Sequence, residues 1–252
     1  SGTQYFPRAL IDSVKEDAPV FRFVESDAFT FESDWKRERK INAWFKEIKP
    51  VLQSTDNPVV MGEDFARSGD LTVIWLDEIV AEGKTRTLCV IELRNIPFAQ
   101  QWQLIKLIGS GLKDFEGAAF DSRGNGQMIA EYAAQEWPGY VYQVMLSRKW
   151  YAENFPHLKS ALEDKNTTVP NDIFIRDDFK VVKVVQGVPL ITERTGGGRT
   201  KRHGDACIAK VMAKYAEQQS YESGYQPYAY EAVKTTAKIG AKGVDPWNGW
   251  DD

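Results

Sequence analysis

Between residues 57 and 96 the chain reads NPVVMGEDFARSGDLTVIWLDEIVAEGKTRTLCVIELRNI. Apolar, β-branched runs at 58–64, 71–80 and 87–94 are split by ARSGD and AEGKT, both turn-forming stretches. This pattern predicts three sequential strands joined by hairpins, and it restricts the fold more than any other stretch. Beyond residue 96, helical and strand patterns alternate. PFAQQWQLIKLIGSGL reads as a helix with Phe98, Trp102, Ile105 and Leu112 on one side. GAAFD reads as a short buried strand, GNGQMIAEYAAQEW as a helix, GYVYQVML as a strand and RKWYAENFPHLKSALED as a helix. PNDIFIRDDFKVVKVVQG is expected to be one more helix, with Ile173, Phe179, Val182 and Val185 inward, VPLITER a strand, and the segment from Asp205 the last core helix. The order β-β-β-α-β-α-β-α-α-β-α implies an α/β fold: a mixed sheet, three strands antiparallel and the rest parallel, flanked by helices.

Residues 1–57 have a different texture. DWKRERKINAWFKEIKPVLQ carries Trp35, Ile41, Trp44, Phe45, Ile48, Val51 and Leu52 along one helical face of a charged segment. We read 1–57 as a linker or helical extension, 58–218 as the main domain and 219–252 as a flexible tail rich in Gly, Pro and aromatics. No stretch approaches the roughly 20 apolar residues of a membrane span, and no secretory leader opens the chain. Cys89 and Cys207 sit in apolar runs without metal-binding spacing and read as buried thiols. With only two histidines, His157 and His203, any metal is expected to be held by oxygen, which favours Mg²⁺, Mn²⁺ or Ca²⁺. The net charge of −4 argues against a surface that coats nucleic acid indiscriminately. A local groove remains open to it, because RTGGGRTKRH concentrates Arg194, Arg199, Lys201 and Arg202 just ahead of Asp205.

The element order gives three carboxylates particular addresses. Asp64 closes the first of the three hairpin strands, Asp121 closes GAAFD, and Asp205 begins the last helix. If the strands bearing Asp64 and Asp121 lie side by side, their carboxyl ends meet where α/β sheets form ligand crevices. Like charges buried together oppose ionisation unless cations offset them. Two hard cations about 4 Å apart would then activate a water and stabilise a leaving oxygen in phosphoryl chemistry. Each acid also has a plainer reading: Asp64 as a turn aspartate, Asp121 and Asp205 as helix caps. Glu63 alternates to the opposite strand face and is excluded, and Glu131 is expected to face solvent or a neighbouring helix. Glu92 is an outside candidate if it shares the face of Asp64. Asp70 is expected mainly to stabilise its hairpin turn.

Four stretches in this order, GEDFARSGDLTVIWL, IELRNIPFAQQ, AAFDSRGNGQMIAE and KRHGDACIAKVMA, resemble the nuclease domain of large terminase subunits. The resemblance spans roughly 58–218 and is nearest to the tailed-phage and prophage branch typified by phage Mu. It implies a ribonuclease-H-like fold and a two-metal, Mg²⁺- or Mn²⁺-dependent endonuclease that cuts concatemeric double-stranded DNA during packaging. By the same resemblance Asp64, Asp121 and Asp205 form the catalytic, metal-binding triad. His203, Glu92 and Asp70 are accessory candidates, and Arg194, Arg199, Lys201 and Arg202 meet DNA phosphates. Portal, small terminase subunit and host cytoplasm are the implied setting, with no membrane. No GxxxxGK[ST] motif occurs, so a packaging ATPase domain is expected in the intact protein ahead of residue 1. The alternatives are a resolvase- or transposase-type nuclease of the same fold, an actin-like nucleotide binder and a non-catalytic packaging module.

Overall fold

The computed structural model describes residues 2–66, 70–192 and 202–222. The N-terminal part forms β1 (Thr3–Gln4), α1 (Arg8–Ser13), β2 (Lys15–Glu16), β3 (Val20–Val24) and, after a short 3-10 turn, α2 (Asp34–Leu52). Three long strands come next, β4 (Val59–Asp64), β5 (Leu71–Ala81) and β6 (Lys84–Arg94). They lead into α3 (Phe98–Gly111), β7 (Phe115–Asp121), α4 (Gly126–Glu136), β8 (Val141–Val144) and α5 (Arg148–Glu163). The chain continues through β9 (Val169–Pro170), α6 (Ile173–Lys180), β10 (Val182–Val185), β11 (Val188–Ile191) and α7 (Asp205–Glu222).

The central sheet has six strands in the order β3-β6-β5-β4-β7-β8. β4, β5 and β6 are antiparallel, as their hairpin pattern implies, while β3 runs parallel to β6 and β7 lies parallel to both β4 and β8. The mixed α/β sheet flanked by helices is thus present, with β4 and β7 adjacent. The N-terminal segment is more closely built in than the sequence suggests. β3 is an edge strand of this sheet, and Phe23, Phe29, Ile41, Trp44 and Ile48 share one core with Met61, Ile74 and Phe120. The stretch 170–187 is corrected. Its helix stops at Lys180, and the β-branched tail KVVKVV pairs back as the hairpin β10–β11, to which β1 adds a third strand. Ile173, expected inward, is exposed, whereas Phe179 and Val182 are buried. VPLI therefore belongs to this small sheet and not to the central one.

Strand alternation sorts the two faces of the sheet. Val59, Met61, Ala118 and Phe120 point into the core covered by α2, α3 and α4. Val60 and Ala119 point to the opposite side, against Ile208, Met212 and Ala216 of α7. α7 lies directly on the β4 backbone. A Cβ at Gly62 would stand 2.1 Å from the Ala209 carbonyl oxygen and 2.3 Å from the Ala213 nitrogen, so only glycine permits the approach. The alanines at 206, 209, 213 and 216, all fully buried, serve the same end from the helix side. Farther along, Lys210 of α7 buries its ammonium in the sheet. Nζ donates to both oxygens of Asp77 at 2.9 and 2.8 Å and to Thr167 Oγ1 at 2.7 Å, with the Trp75 ring 5.1 Å away. A buried ion pair is costly unless its hydrogen bonds are complete, and here all three ammonium protons are placed.

Gly62→Ala is expected to destabilise the protein by at least about 1–3 kcal/mol through overpacking, read from urea unfolding; wild-type stability would show that α7 can withdraw from β4 at little cost.

Candidate active site

Asp64 is the last residue of β4 and Asp121 the last of β7, one strand over. By alternation with Val60 and Ala119, both point to the α7 side of the sheet. Asp205 opens α7 on that same side, across the ends of these strands. It is set there by Gly204, whose φ of +77° is a left-handed conformation that favours glycine. A side chain at 204 would also strike Ile191 at 2.8 Å. All three carboxylates are nearly buried, at 6%, 4% and 7% exposure; Asp64 and Asp205 line a cavity of about 610 Å³, and Asp121 stands behind Arg123, which lines it. Asp64, Asp70, Arg123, Tyr151, His203 and Asp205 are among the residues that line it.

The electrostatics express the crowding. Burial, then the charges of Asp205 and Asp121, push the Asp64 carboxyl well above the usual carboxylate range, with Arg123 pulling the other way. Asp205 is raised to about 7, first by burial and next by the charge of Asp178. Tyr151 is pushed up to about 12, chiefly by burial, and is a neutral phenol at the cavity wall.

Two of the acids already have partners. Asp121 receives a fork from Arg123, Nε to Oδ1 at 3.0 Å and Nη2 to Oδ2 at 3.1 Å, plus the Arg123 backbone N–H at 3.0 Å. Asp205 Oδ2 accepts the His203 backbone N–H at 3.1 Å. His203 Nε2 in turn lies 3.2 Å from Asp70 Oδ1, so these two form one rim of the cavity. Among the described residues no set of three or more His, Cys, Asp or Glu side chains is gathered tightly enough to hold a metal as it stands. The donor chemistry, hard oxygens with excess negative charge, suits a divalent cation; the present Asp121–Arg123 pairing does not.

The other sequence candidates fall differently. Glu92 does share the face of Asp64, through the cross-sheet row Asp64–Val73–Glu92–Arg22, but it lies two strands away. Its carboxylate is bound by Arg22 and Arg202, which removes it from the cavity. Arg202 is corrected as well. At 5% exposure it is enclosed between Glu92 and Asp178 and cannot meet a phosphate. Arg194, Arg199 and Lys201 lie outside the described residues. Glu63 lies by alternation on the opposite face, and Glu131 is exposed. Sequence reasoning misses Arg123 and Asp178. Arg123 has a signal, two positions after a strand-end aspartate, whereas Asp178 has none. Cys89 and Cys207 are buried free thiols, as expected.

No protein-family model matches the chain. The probable large terminase subunit gp28 of Escherichia phage Mu is 37% identical over 235 residues, covering 89% of this chain and 42% of that protein. The Mu-like prophage FluMu protein gp28 of Haemophilus influenzae is 32% identical over 230 residues, covering 89% and 45%. The chain is thus similar to gp28 proteins of phage Mu and of a Mu-like prophage. The chain spans less than half the length of the curated relatives it matches. Among solved structures, the large terminase nuclease of thermophilic phage G20c superposes with a TM-score of 0.52, at 19% identity, over 64% of this chain and 82% of that one. Its magnesium-bound form gives 0.50 at 20% identity, with the same coverage. At such identity the likeness speaks for the fold, and the fold is ribonuclease-H-like.

Asp205, raised from 3.8 to about 7, stabilises the metal-free fold fully below about pH 4, and that stability is lost as pH rises through 7. Asp205→Asn is therefore expected to unfold at a higher temperature than wild type at pH 8 in EDTA, with the difference shrinking toward pH 4. An unchanged melting temperature at pH 8 would contradict the crowded-carboxylate picture.

Proposed function

We propose that this chain is the metal-dependent endonuclease part of a DNA-packaging terminase, hydrolysing phosphodiesters of concatemeric double-stranded DNA. The observation that carries the reading is the delivery of Asp64, Asp121 and Asp205 from three distant segments to one sheet face, where the other two charges both act on Asp64. Asp64 and Asp121 would hold the first divalent ion and Asp205 would complete a second site. Bound there, Mg²⁺ or Mn²⁺ would lower the pKa of a water and offset charge on the leaving oxygen.

The chain's own groups have definable tasks. Arg123 pairs with Asp121; for Asp121 to ligate a metal, the guanidinium must let go, and the cavity it lines is where a phosphate would enter. Tyr151, neutral at physiological pH, would donate a hydrogen bond to a phosphate oxygen rather than repel it. His203, held by Asp70, would orient a water or contact the backbone. Arg194, Arg199 and Lys201 would add contacts independent of base sequence and sensitive to salt. Packaging ATPase, portal and small terminase subunit, within a host cell, complete the proposed setting. Among the described residues no helix is long and apolar enough to cross a membrane.

Supercoiled plasmid incubated with the protein and Mn²⁺ or Mg²⁺ is expected to be nicked and linearised, with EDTA abolishing the reaction. Asp121→Asn should reduce the rate by roughly 100-fold or more, beyond what loss of a ligand's supporting residue costs. Metal-independent cutting, or full activity in the variant, would refute the assignment.

A further inference from the structure

The chain around Asp205 is gripped on both sides by one buried ionic network. Upstream, Arg202 donates Nε and Nη2 to the two oxygens of Asp178 at 2.9 and 2.8 Å, and Nη1 and Nη2 to the two oxygens of Glu92 at 3.0 and 2.6 Å. Downstream, Asp178 Oδ2 accepts the backbone N–H of Ala206 at 2.9 Å. Only Gly204 and His203 separate Asp205 from Arg202, and Ala206 comes directly after it. Glu92, Asp178 and Arg202 are 1%, 0% and 5% exposed. The network continues outward. Arg22 of β3 donates to Glu92 at 2.8 Å and forks onto Asp172 at 2.9 and 2.7 Å. Asp172 also caps α6, the helix that carries Asp178, by accepting the N–H groups of Phe174 and Ile175. Phe174 lies over both guanidinium groups, 5.0 Å from that of Arg22 and 6.0 Å from that of Arg202.

Such a cluster is an expensive way to hold a fold, since apolar side chains of similar volume often serve stability as well or better. What ions provide here is direction: a guanidinium fork fixes angle as well as distance. We propose that Glu92, Asp178 and Arg202 are positioning residues that hold Asp205 at the height and rotation needed to ligate a divalent metal. They act through the backbone on either side of it and touch neither metal nor DNA. The inference rests on the metal-dependent reading of the site, and it gives Glu92 and Arg202 a role other than the ligand and phosphate contacts expected from sequence.

The test uses the full chain and two variants, Asp178→Asn and Glu92→Gln, which keep side-chain shape while removing one charge of the network. Two readouts are taken on protein shown to be folded by circular dichroism: amide exchange across residues 202–208, and the Mn²⁺ dissociation constant by calorimetry. Exchange at Ala206 and its neighbours should accelerate at least about tenfold while the β4–β5 amides keep their protection. Mn²⁺ affinity should fall by about 10–100-fold, the usual cost of losing a group that orients a metal ligand. Plasmid nicking should then recover when Mn²⁺ is raised in proportion. A network that merely stabilises would lower the melting temperature and leave the Mn²⁺ constant of the folded protein unchanged, and that result overturns the proposal; so does unaltered exchange at 202–208. If Asp178→Asn does not fold, Glu92→Gln alone decides. If wild type binds no Mn²⁺, the metal reading itself falls, while exchange at Ala206 still decides whether Asp178 holds the helix start.

Discussion

Everything about this site depends on how closely α7 approaches the sheet. A helix normally rests on strands through side chains, which keeps the two backbones well apart. Here Gly62 lets the Ala209 carbonyl and the Ala213 nitrogen sit where a methyl group would be. That closeness brings the first residue of α7 level with the strand ends that carry Asp64 and Asp121. A side chain at 62 would displace the helix, and the displacement would be felt at Asp205, about one to two turns away along the same helix.

The closeness has an electrostatic cost, which the molecule does not remove. Asp64 and Asp205 stay raised above their ordinary values, and the guanidinium of Arg123 compensates only part of the charge near them. The arrangement is stable because the surrounding frame is over-determined: a fully buried apolar core on both sheet faces, the Lys210–Asp77 pair beneath α7, and the Glu92–Arg202–Asp178 cluster at its start. Residual repulsion of this kind favours a site that binds cations and disfavours one that remains empty of charge.

Much of this was legible in the residues because strand ends announce themselves. Period-two apolar runs stopped by ARSGD and SRGNG locate Asp64 and Asp121, and His-Gly-Asp before a helical pattern locates Asp205. The features that escape such reading are decided over long distances. β3 is five residues long and owes its place to pairing with β6, some 70 positions later. The hairpin β10–β11 won over helix because its valines could pair with one another and with β1. Arg202 looks like its basic neighbours. Its burial comes from Glu92 and Asp178, which stand 110 and 24 positions away and leave no local trace. A run of positive charge reads the same whether its members meet solvent or a carboxylate.

The buried ammonium of Lys210 has a mechanical consequence. Sliding α7 along its axis by one residue, about 1.5 Å, would pull the fully buried ammonium away from its three hydrogen-bond acceptors. The pairing therefore opposes piston-like motion of the helix and fixes the elevation of Asp205. Rearrangement at the carboxylates then falls to side chains that can shift without α7: the Arg123 fork and the His203–Asp70 pair at the rim.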